Sequence, residues 1–151
     1  MKRRREMKVT RVRDVKLPTR GTSQSAGIDF YVPNTFKERS IGPGHKAFIP
    51  SGIKANVPPG HALIAFNKSG VALKKGLFVG ACVVDEDYQG EIHLHVVNVG
   101  TEAVVIEPGE KLVQLVLVPV FYDTIEEVSQ EALFSETTDR GAGGFGSTGN
   151  F

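Results

Sequence analysis

The stretch Glu91-Ile92-His93-Leu94-His95-Val96 alternates polar and apolar residues, and this alternation decides the fold class. A period of two predicts a β-strand with Ile92, Leu94 and Val96 on one face. A second stretch, residues 112–118, is apolar almost throughout. Such a run predicts a strand that is buried on both sides.

Turn sequences recur at short intervals, and β-rich segments lie between them. The turns are Gly42-Pro43-Gly44, Pro58-Pro59-Gly60, Lys75-Gly76, Gln89-Gly90 and Pro108-Gly109. The segments are residues 27–32, 47–49, 53–57, 61–66, 91–99, 103–106 and 111–120. Many short strands at this spacing predict an all-β domain, either a jelly roll, a sandwich or a barrel. Only residues 124–133 have a helical pattern, so we expect one short helix there.

The bulk composition favours one small domain inside the cell. A chain of 151 residues fits one domain. No apolar run approaches the ~20 residues of a membrane helix, and the basic start continues into charged residues rather than a signal sequence. The single cysteine, Cys82, excludes an internal disulfide framework and is most simply a small buried residue. We therefore expect a soluble, cytoplasmic protein that does not contact a membrane.

Charge is distributed unevenly along the chain. The first 20 residues hold nine Lys or Arg and two acids, whereas the remainder is net negative. A basic arm can contact nucleic acid, but no aromatic residue is interleaved as a stacking platform, so nucleic acid is not expected. The predicted organisation is a partly disordered basic arm with the first strand at 1–16, a β domain at 17–136 and a flexible glycine-rich arm at 137–151. Because the residues after the first 20 are net negative, they must bring several of their few cations together wherever they bind a polyanion.

The glycine-rich segment from Arg140 to Gly149 has the composition of a phosphate-binding lid. Five of its ten residues are glycine, which lets backbone N–H groups converge on an anion. Ser147 and Thr148 add hydroxyl donors, and Arg140 adds a guanidinium fork. Phe145 is the single large apolar side chain of the segment, and stacking on a flat base would explain it.

Other polar residues stand at positions where chemistry is plausible. Three acids and Tyr88 occupy a turn directly before the alternating strand, so one carboxylate is either a solvated turn residue or a general base. Asp29 interrupts an apolar strand and needs a partner or a role. Lys68-Ser69-Gly70 suits a phosphate, and Gln114 serves either a substrate or the fold. The pair His93 and His95 shares a strand face but lacks a third metal ligand, so a surface role is the simpler interpretation.

Taken in order, these segments resemble the trimeric dUTP pyrophosphatases (dUTPases), whose five motifs can all be placed between about Leu17 and Gly149. They are Ala26-Gly27-Ile28-Asp29-Phe30; Asn67-Lys68-Ser69-Gly70; Gly80-Ala81-Cys82-Val83-Val84-Asp85-Glu86-Asp87-Tyr88-Gln89-Gly90; Pro108-Gly109-Glu110-Lys111-Leu112-Val113-Gln114-Leu115; and Arg140 to Gly149. The resemblance implies a jelly-roll-like domain that forms a homotrimer with three active sites, each shared between the chains. It also implies hydrolysis of dUTP with Mg²⁺ to dUMP and pyrophosphate, which keeps uracil out of DNA and supplies dUMP for dTMP synthesis.

The resemblance further implies a role for each site residue. Asp85 is the base that activates water for attack on the α-phosphorus, and Tyr88 lies against the deoxyribose. The uracil is read by the hairpin and covered by the arm: Gly80, Ala81, Cys82, Val83 and Phe145. The phosphates are held by Lys68, Ser69, Gly70, Gln114, Arg140, Gly144, Ser147 and Thr148. Asp29 and Lys111 support the site, and Mg²⁺ is held by phosphates and water rather than directly by side chains.

Three positions differ from the usual family pattern, because Lys68 and Lys111 replace arginines and Cys82 replaces a glycine. Lysine keeps the charge but loses the planar fork. Two alternatives remain. A dCTP deaminase of the same fold needs a Glu where this chain has His95, and it lacks the complete fifth motif. A family member that acts by binding regulatory proteins is the second alternative, and the basic arm is the feature that hints at it.

Overall fold

A computed structural model of the chain describes residues 5–81 and 83–151. The chain divides into two compact units, Met1–Phe121 and Tyr122–Phe151. The expectations for residues 1–4 of the basic arm and for Cys82 lie outside the described residues.

The first unit is built from short strands. They are β1 (Val9–Arg11), β2 (Ile28–Tyr31), β3 (Arg39–Ile41), β4 (Lys46–Pro50), β5 (Ile53–Ala55), β6 (His61–Phe66), β7 (Leu77–Val79), β8 (Val83–Val84), β9 (His93–Asn98), β10 (Val104–Ile106) and β11 (Lys111–Pro119). Every pairing between them is antiparallel. The prediction of an all-β domain is therefore confirmed.

The strands form several small sheets around one apolar core. A four-stranded sheet has the order β2-β11-β6-β8, and a three-stranded sheet has the order β4-β9-β7. Two further pairs join β1 to β5 and β3 to β10. Buried side chains from both larger sheets, among them Phe30, Leu63 and Leu94, belong to the same cluster. The result is a jelly-roll-like sandwich of antiparallel sheets, and the described strands do not close into a barrel.

The alternating stretch behaves as its pattern predicts. Ile92, Leu94 and Val96 are each at most 2% exposed, whereas His93 and His95 point to the opposite, partly open face of β9. Burial of β11 matches the prediction only in its first half, because Leu112, Val113 and Leu115 are buried while residues 116–118 are half-buried. The reason lies in the pairing, since β2 accompanies β11 only as far as Leu115 and β6 alone continues beside it.

The prediction of a helix at residues 124–133 is wrong. That segment contains only a single 3₁₀ turn, Gln130–Ala132, and its side chains are exposed, Ile125 to 96%. A short helix without a packed face is marginal in water, so the pattern alone does not form one. The helix of the first unit, α1 (Ser69–Lys75), instead follows Lys68 and ends at Gly76 in the left-handed conformation that glycine favours.

Candidate active site

Asp29, the acid inside an apolar strand, holds two lysines. Its side chain is 7% exposed, and one carboxylate oxygen accepts a hydrogen bond from the Lys68 ammonium. The other oxygen lies 3.9 Å from the Lys111 ammonium. A carboxylate this buried needs compensation, and the two cations supply it. Because two positive charges share one negative charge, the group keeps a surplus positive charge for an anion. We call Asp29, Lys68 and Lys111 the lysine cluster.

Strand register brings these distant residues together. In the antiparallel pair of β2 and β11, Asp29 lies opposite Gln114 and Tyr31 lies opposite Lys111. The pairing is irregular between Lys111 and Val113, at the end of the strand where the lysine cluster lies. Lys68 enters from the turn between β6 and α1, at the N-cap of the helix. The first, second and fourth motifs therefore meet at one end of the four-stranded sheet.

Gln114 braces the turn that carries Lys68. Its side-chain amide donates a hydrogen bond of 2.7 Å to the carbonyl oxygen of Asn67. The same side chain lies directly over Gly27, where an added Cβ would come within 2.7 Å of the Gln114 amide carbon and 3.0 Å of its Cβ. Gly27 is thus the residue that leaves room for Gln114 to reach Asn67.

A tyrosine and a further lysine border the lysine cluster. The Tyr31 hydroxyl lies 2.5 Å from the Thr19 hydroxyl, and the Lys16 ammonium lies 4.9 Å from the centre of the Tyr31 ring. The Thr19 hydrogen bond, with help from the charges of Lys16 and Lys111, holds the pKa of Tyr31 below its ordinary value. This end of the sheet therefore gathers three cations of a chain whose body is otherwise acidic.

The predicted phosphate residues Ser69 and Gly70 form the exposed first turn of α1, next to Lys68. The other end of α1 is tied down by an ion pair between Lys75 and Glu110. Glu110 directly precedes Lys111, so this pair also connects the helix to the start of β11. The pair Glu110-Lys111 is in this way part of the framework of the site.

A small cavity gathers part of the predicted nucleoside site. Ala81, Val83 and Tyr88 line a space of about 150 Å³. Its other walls are Phe48, Ala65, Val84, Ile92, His93 and Leu115. This volume is below the ~300–1,000 Å³ of drug-sized ligand pockets, so it suits one ring system rather than a whole nucleotide. We call it the ring cavity.

The sequence reasoning missed Phe48 as a lining residue of the ring cavity and favoured only a surface role for His93, which also lines it. Phe48 projects from β4 and its ring stacks on His93 of β9, with centroids 4.5 Å apart and planes inclined by 9°. The alternation in β9 identified His93 as lying on the open face, but the partner ring is 45 positions away and comes into contact only through strand pairing. Sequence spacing carries no signal for such a contact.

The acidic turn next to the ring cavity positions Tyr88 and leaves Asp85 open. The Tyr88 N–H donates to the Asp85 carbonyl oxygen at 3.1 Å, and the Tyr88 hydroxyl donates to the Glu91 carbonyl oxygen at 2.7 Å. The Tyr88 ring lies over Gly90, where a Cβ would meet the ring at 2.6 Å. Among the described residues, no hydrogen bond or ion pair engages the exposed Asp85 carboxylate. Asp85 is therefore available to a water molecule or a ligand.

The lysine cluster and the ring cavity are separate places on the chain. In the four-stranded sheet, β11 and β8 lie on opposite sides of β6, with Gln114 opposite Phe66 and Val83 opposite Ile64. With strands about 4.8 Å apart and residues about 3.3 Å apart along a strand, the Cα atoms of Gln114 and Val83 are roughly 12 Å apart. None of the three residues of the lysine cluster lines the ring cavity.

The second unit carries the predicted phosphate-binding arm on a run of turns. The Arg140 Nε donates to the Gly143 carbonyl oxygen at 2.8 Å, and the Ser147 N–H donates to the Gly144 carbonyl oxygen at 3.1 Å. Phe145 stands between glycines with a positive φ of 51°, and its side chain is fully exposed. Within this unit, the hydroxyl-bearing residues Ser147 and Thr148 follow Phe145 in the chain after one glycine, Gly146.

Residues 5–81 and 83–151 contain no group of three or more His, Cys, Asp or Glu side chains placed to hold a metal ion. Within the same residues, no helix has the length and apolar character needed to span a bilayer.

The first unit combines a jelly-roll-like fold with a lysine cluster, a small cavity and an open acidic turn, a set of features that suits a hydrolase acting on a polyanion. The family model described as dUTPase matches residues 13–149, and the chain belongs to this family of hydrolases. The deoxyuridine 5′-triphosphate nucleotidohydrolase of Chlamydia pneumoniae is 41% identical over 136 residues, which cover 89% of this chain and 91% of that protein. The enzyme of that name from Paraburkholderia xenovorans is 40% identical over 146 residues, 92% of each chain.

The fold agrees with solved structures of the family. The dUTPase of Staphylococcus bacteriophage 80alpha with dUPNHPP has a TM-score of 0.84 to this chain at 23% identity, covering 95% of this chain and 98% of that one. At that identity the likeness concerns the fold alone.

Proposed function

We propose that this chain hydrolyses dUTP to dUMP and pyrophosphate, with Asp85 as the base that activates the attacking water. The observation that carries the proposal is the open Asp85 carboxylate at the turn whose Tyr88 lines the ring cavity. A base must reach water without being committed to another partner, and its placement beside a bound nucleoside brings that water to the reacting phosphorus. A positioned base of this kind contributes ~10²–10⁴-fold to the rate.

The ring cavity is the proposed nucleoside site. Tyr88, fixed by Glu91 and Gly90, presents one ring face as a wall against which a deoxyribose packs and a 2′-hydroxyl is excluded. The hairpin of Gly80, Ala81, Cys82 and Val83 reads the uracil edge through its backbone. The small volume of the cavity supports exclusion of the thymine methyl group, because a close-packed wall cannot accept another carbon without displacement.

The lysine cluster is the proposed site for the phosphates. Phosphoryl transfer depends on positioning and on neutralising negative charge. Lys68 and Lys111 supply positive charge, Asp29 fixes their ammonium groups, and Ser69, Gly70 and Gln114 supply further donors at the same end of the sheet. Asp29 thus supports the site through the two lysines.

Mg²⁺ is proposed to reach the site bound to the triphosphate. Mg²⁺ dehydrates reluctantly, so the ligands proposed for it are phosphate oxygens and water. Bound in this way, the ion would neutralise charge on the phosphates. Asp85 would position the attacking water, and the lysine cluster would position the phosphates.

A homotrimer with shared active sites would bring a lysine cluster and a ring cavity together in one site. One nucleotide needs both a ring site and a phosphate site, and in a single chain no residue of the lysine cluster lines the ring cavity. In the proposed trimer, the ring cavity of one chain faces the lysine cluster of another. The arm of a chain then closes over the site, with Arg140, Gly144, Ser147 and Thr148 on the phosphates and Phe145 stacked on the uracil.

A nucleotide panel tests the substrate. Purified protein with Mg²⁺ is given dUTP, dCTP, dTTP or UTP, and both pyrophosphate and the nucleotide products are measured, with EDTA as the control for the metal. We expect pyrophosphate release from dUTP, with kcat/KM for dTTP and UTP lower by at least about tenfold, the factor of one misfitting methyl or hydroxyl group. Equal turnover of dTTP contradicts reading of uracil, and conversion of dCTP to a uracil nucleotide identifies a deaminase instead.

Complementation between inactive chains tests the shared site. Asp85→Asn and Lys68→Ala chains are each assayed alone, then unfolded together at equal amounts, refolded and assayed again. If the two residues of a site come from different chains, random assembly restores about a quarter of the wild-type sites. If both residues come from one chain, mixing restores no activity, and the shared-site proposal fails.

A further inference from the structure

We propose that His95 is the positioning residue of the base-reading hairpin, a role that rests on the proposed function because it concerns how uracil is read. The alternation of β9 indicated only that His95 lies on a strand surface. Three contacts connect His95 to Gly80 and Ala81, and each constrains the hairpin in a different way.

The first two contacts are hydrogen bonds that bind consecutive residues of the hairpin to one residue of β9. The Gly80 N–H donates to the His95 carbonyl oxygen at 2.9 Å, which extends the pairing of β7 with β9. The Ala81 N–H donates to the His95 Nδ1 at 2.7 Å. Nδ1 accepts only when it carries no proton, so this bond selects the neutral tautomer with its proton on Nε2. The imidazole thus extends the strand pairing one residue beyond the point where the backbone of β9 can reach.

The third contact is steric. The His95 ring fills the space beside Gly80, where an added Cβ would lie 3.0 Å from the ring Cγ and closer still to Nδ1 and Cε1. Gly80 therefore has to be glycine because of this particular histidine, and its backbone conformation gives no other reason, since its φ is not positive. The His95 ring and Gly80 therefore pack closely, and this packing holds the hairpin against β9.

The far side of the His95 ring is also supported. Phe48 meets it edge to face, with centroids 5.8 Å apart and planes inclined by 80°, and the same Phe48 lines the ring cavity with Ala81. The His95 ring thereby contacts Phe48 and Ala81, two residues that line the ring cavity. A change in the ring alters the width of the cavity without removing a group that touches the reacting phosphate.

These contacts also restrict how the base is read. The N–H groups of Gly80 and Ala81 are committed to His95, so these two residues contribute only their carbonyl oxygens to the reading of uracil. In the sheet formed by the described residues, β8 is paired only with β6, which leaves the other edge of its backbone for the base. His95 therefore aligns that edge, and substrate selectivity is the property that depends on it.

Substitutions of His95 test the hydrogen bond and separate it from simple packing. The Asn side chain can place an acceptor oxygen near the position of Nδ1, whereas Gln reaches toward the position of Nε2 and Ala removes both. We expect His95→Ala and His95→Gln to raise KM for dUTP about five- to tenfold, the effect of about one hydrogen bond, and to narrow the preference for dUTP over dTTP. The value of kcat should change less than twofold, and His95→Asn should restore most of the affinity. His45→Ala, a histidine at an exposed turn outside the site, is the control.

A double-mutant cycle tests the steric contact. Gly80→Ala should weaken binding on its own, because its methyl group displaces the His95 ring. In a His95→Ala background the same substitution should have little further effect. Additive losses, or an unchanged KM in His95→Ala, overturn the proposal.

Nuclear magnetic resonance separates this inference from the proposed function. The ¹⁵N shifts of His95 should report an unprotonated Nδ1, and the Ala81 amide should shift in His95→Ala but return in His95→Asn. These signals do not depend on turnover. If they are found and dUTP is not hydrolysed, the proposed function fails alone; a proton on Nδ1 overturns the role of His95 even in an active enzyme.

Discussion

Replacement of Gly27 by alanine should destabilise the fold through a side chain on another strand. The φ of Gly27 is not positive, so the alanine backbone is acceptable and the penalty is steric. The new methyl group would lie 2.7 Å from the Gln114 amide carbon and 3.0 Å from the Gln114 Cβ. The amide end can rotate away, but Cβ is fixed to the backbone of β11, so the strand itself must shift.

The expected loss follows from three contributions. Displacement of Gln114 removes its 2.7 Å hydrogen bond to Asn67, which costs about 0.5–1.5 kcal/mol. Overpacking costs about 1–3 kcal/mol. The lower entropy of the unfolded alanine chain offsets about 0.4–1 kcal/mol. The net destabilisation is about 1–4 kcal/mol, which corresponds to a fall in Tm of roughly 3–12 °C for a chain of this size.

Chemical and thermal unfolding at one fixed protein concentration provide the assay, because the proposed trimer would make the measured stability depend on concentration. Gly21→Ala is the matched control, since its methyl group would meet only the Ser25 hydroxyl at an ordinary 3.5 Å. In the double variant Gly27→Ala/Gln114→Ala, much of the overlap is gone, so the two losses should fall short of additive by about 1 kcal/mol or more. A stable Gly27→Ala variant, or additive losses, would refute the proposed packing.

Three other predictions concern catalysis, the arm and pH. Asp85→Asn should lower kcat by ~10²–10⁴-fold while the Kd for dUTP and Tm stay near wild type, whereas Asp87→Asn, an exposed acid of the same turn, should stay within about threefold in a steady-state assay. Deletion of residues 140–151 should reduce kcat/KM at least about tenfold with Tm unchanged, because the side chains of that segment are almost all exposed; retained activity would remove the arm from the mechanism. The Arg13 guanidinium, and next the Gly52 N–H, hold the pKa of Glu91 below its ordinary value, so this stabilisation is present above the unfolded pKa and lost as pH falls through the folded pKa. The stability advantage of wild type over Glu91→Gln should therefore disappear in acid unfolding titrations; an advantage that persists there would contradict the ion pair.

The local sequence pattern was sufficient to predict the strands in which polar and apolar residues alternate and those that are strongly apolar. The period of β9 predicted which face is buried, and glycine or proline turns bounded β4, β6 and β11 correctly. The very short strands β3, β7 and β8 have too few residues to reveal a period, so pairing with neighbours defines them. The helical pattern of residues 124–133 lacked a surface to pack against, a condition that the pattern itself does not contain.

The sequence predicted which residues belong to the candidate site, but it did not predict which of them contact each other. Asp29 and Lys68 were each singled out, but 39 positions separate them and only the folded sheet pairs them. The stacking of Phe48 on His93 and the hydrogen bond from Ala81 to His95 likewise depend on strand register. Resemblance to a family could place the motif residues in roles, but it assigned no role in this chain to His95 or Phe48, which lie outside the motifs.

The brevity of β8 also has a consequence for solubility. A long exposed edge strand offers a template on which another polypeptide can add itself and begin an aggregate. Two residues, Val83 and Val84, are too few to recruit such a strand, and charged side chains like those of the turn that follows protect sheet edges in proteins. Under the proposed function, the backbone of the same two residues would bind a flat heterocycle where a further strand would otherwise pair. The sheet edge would then be too short to recruit a peptide and long enough to bind a base.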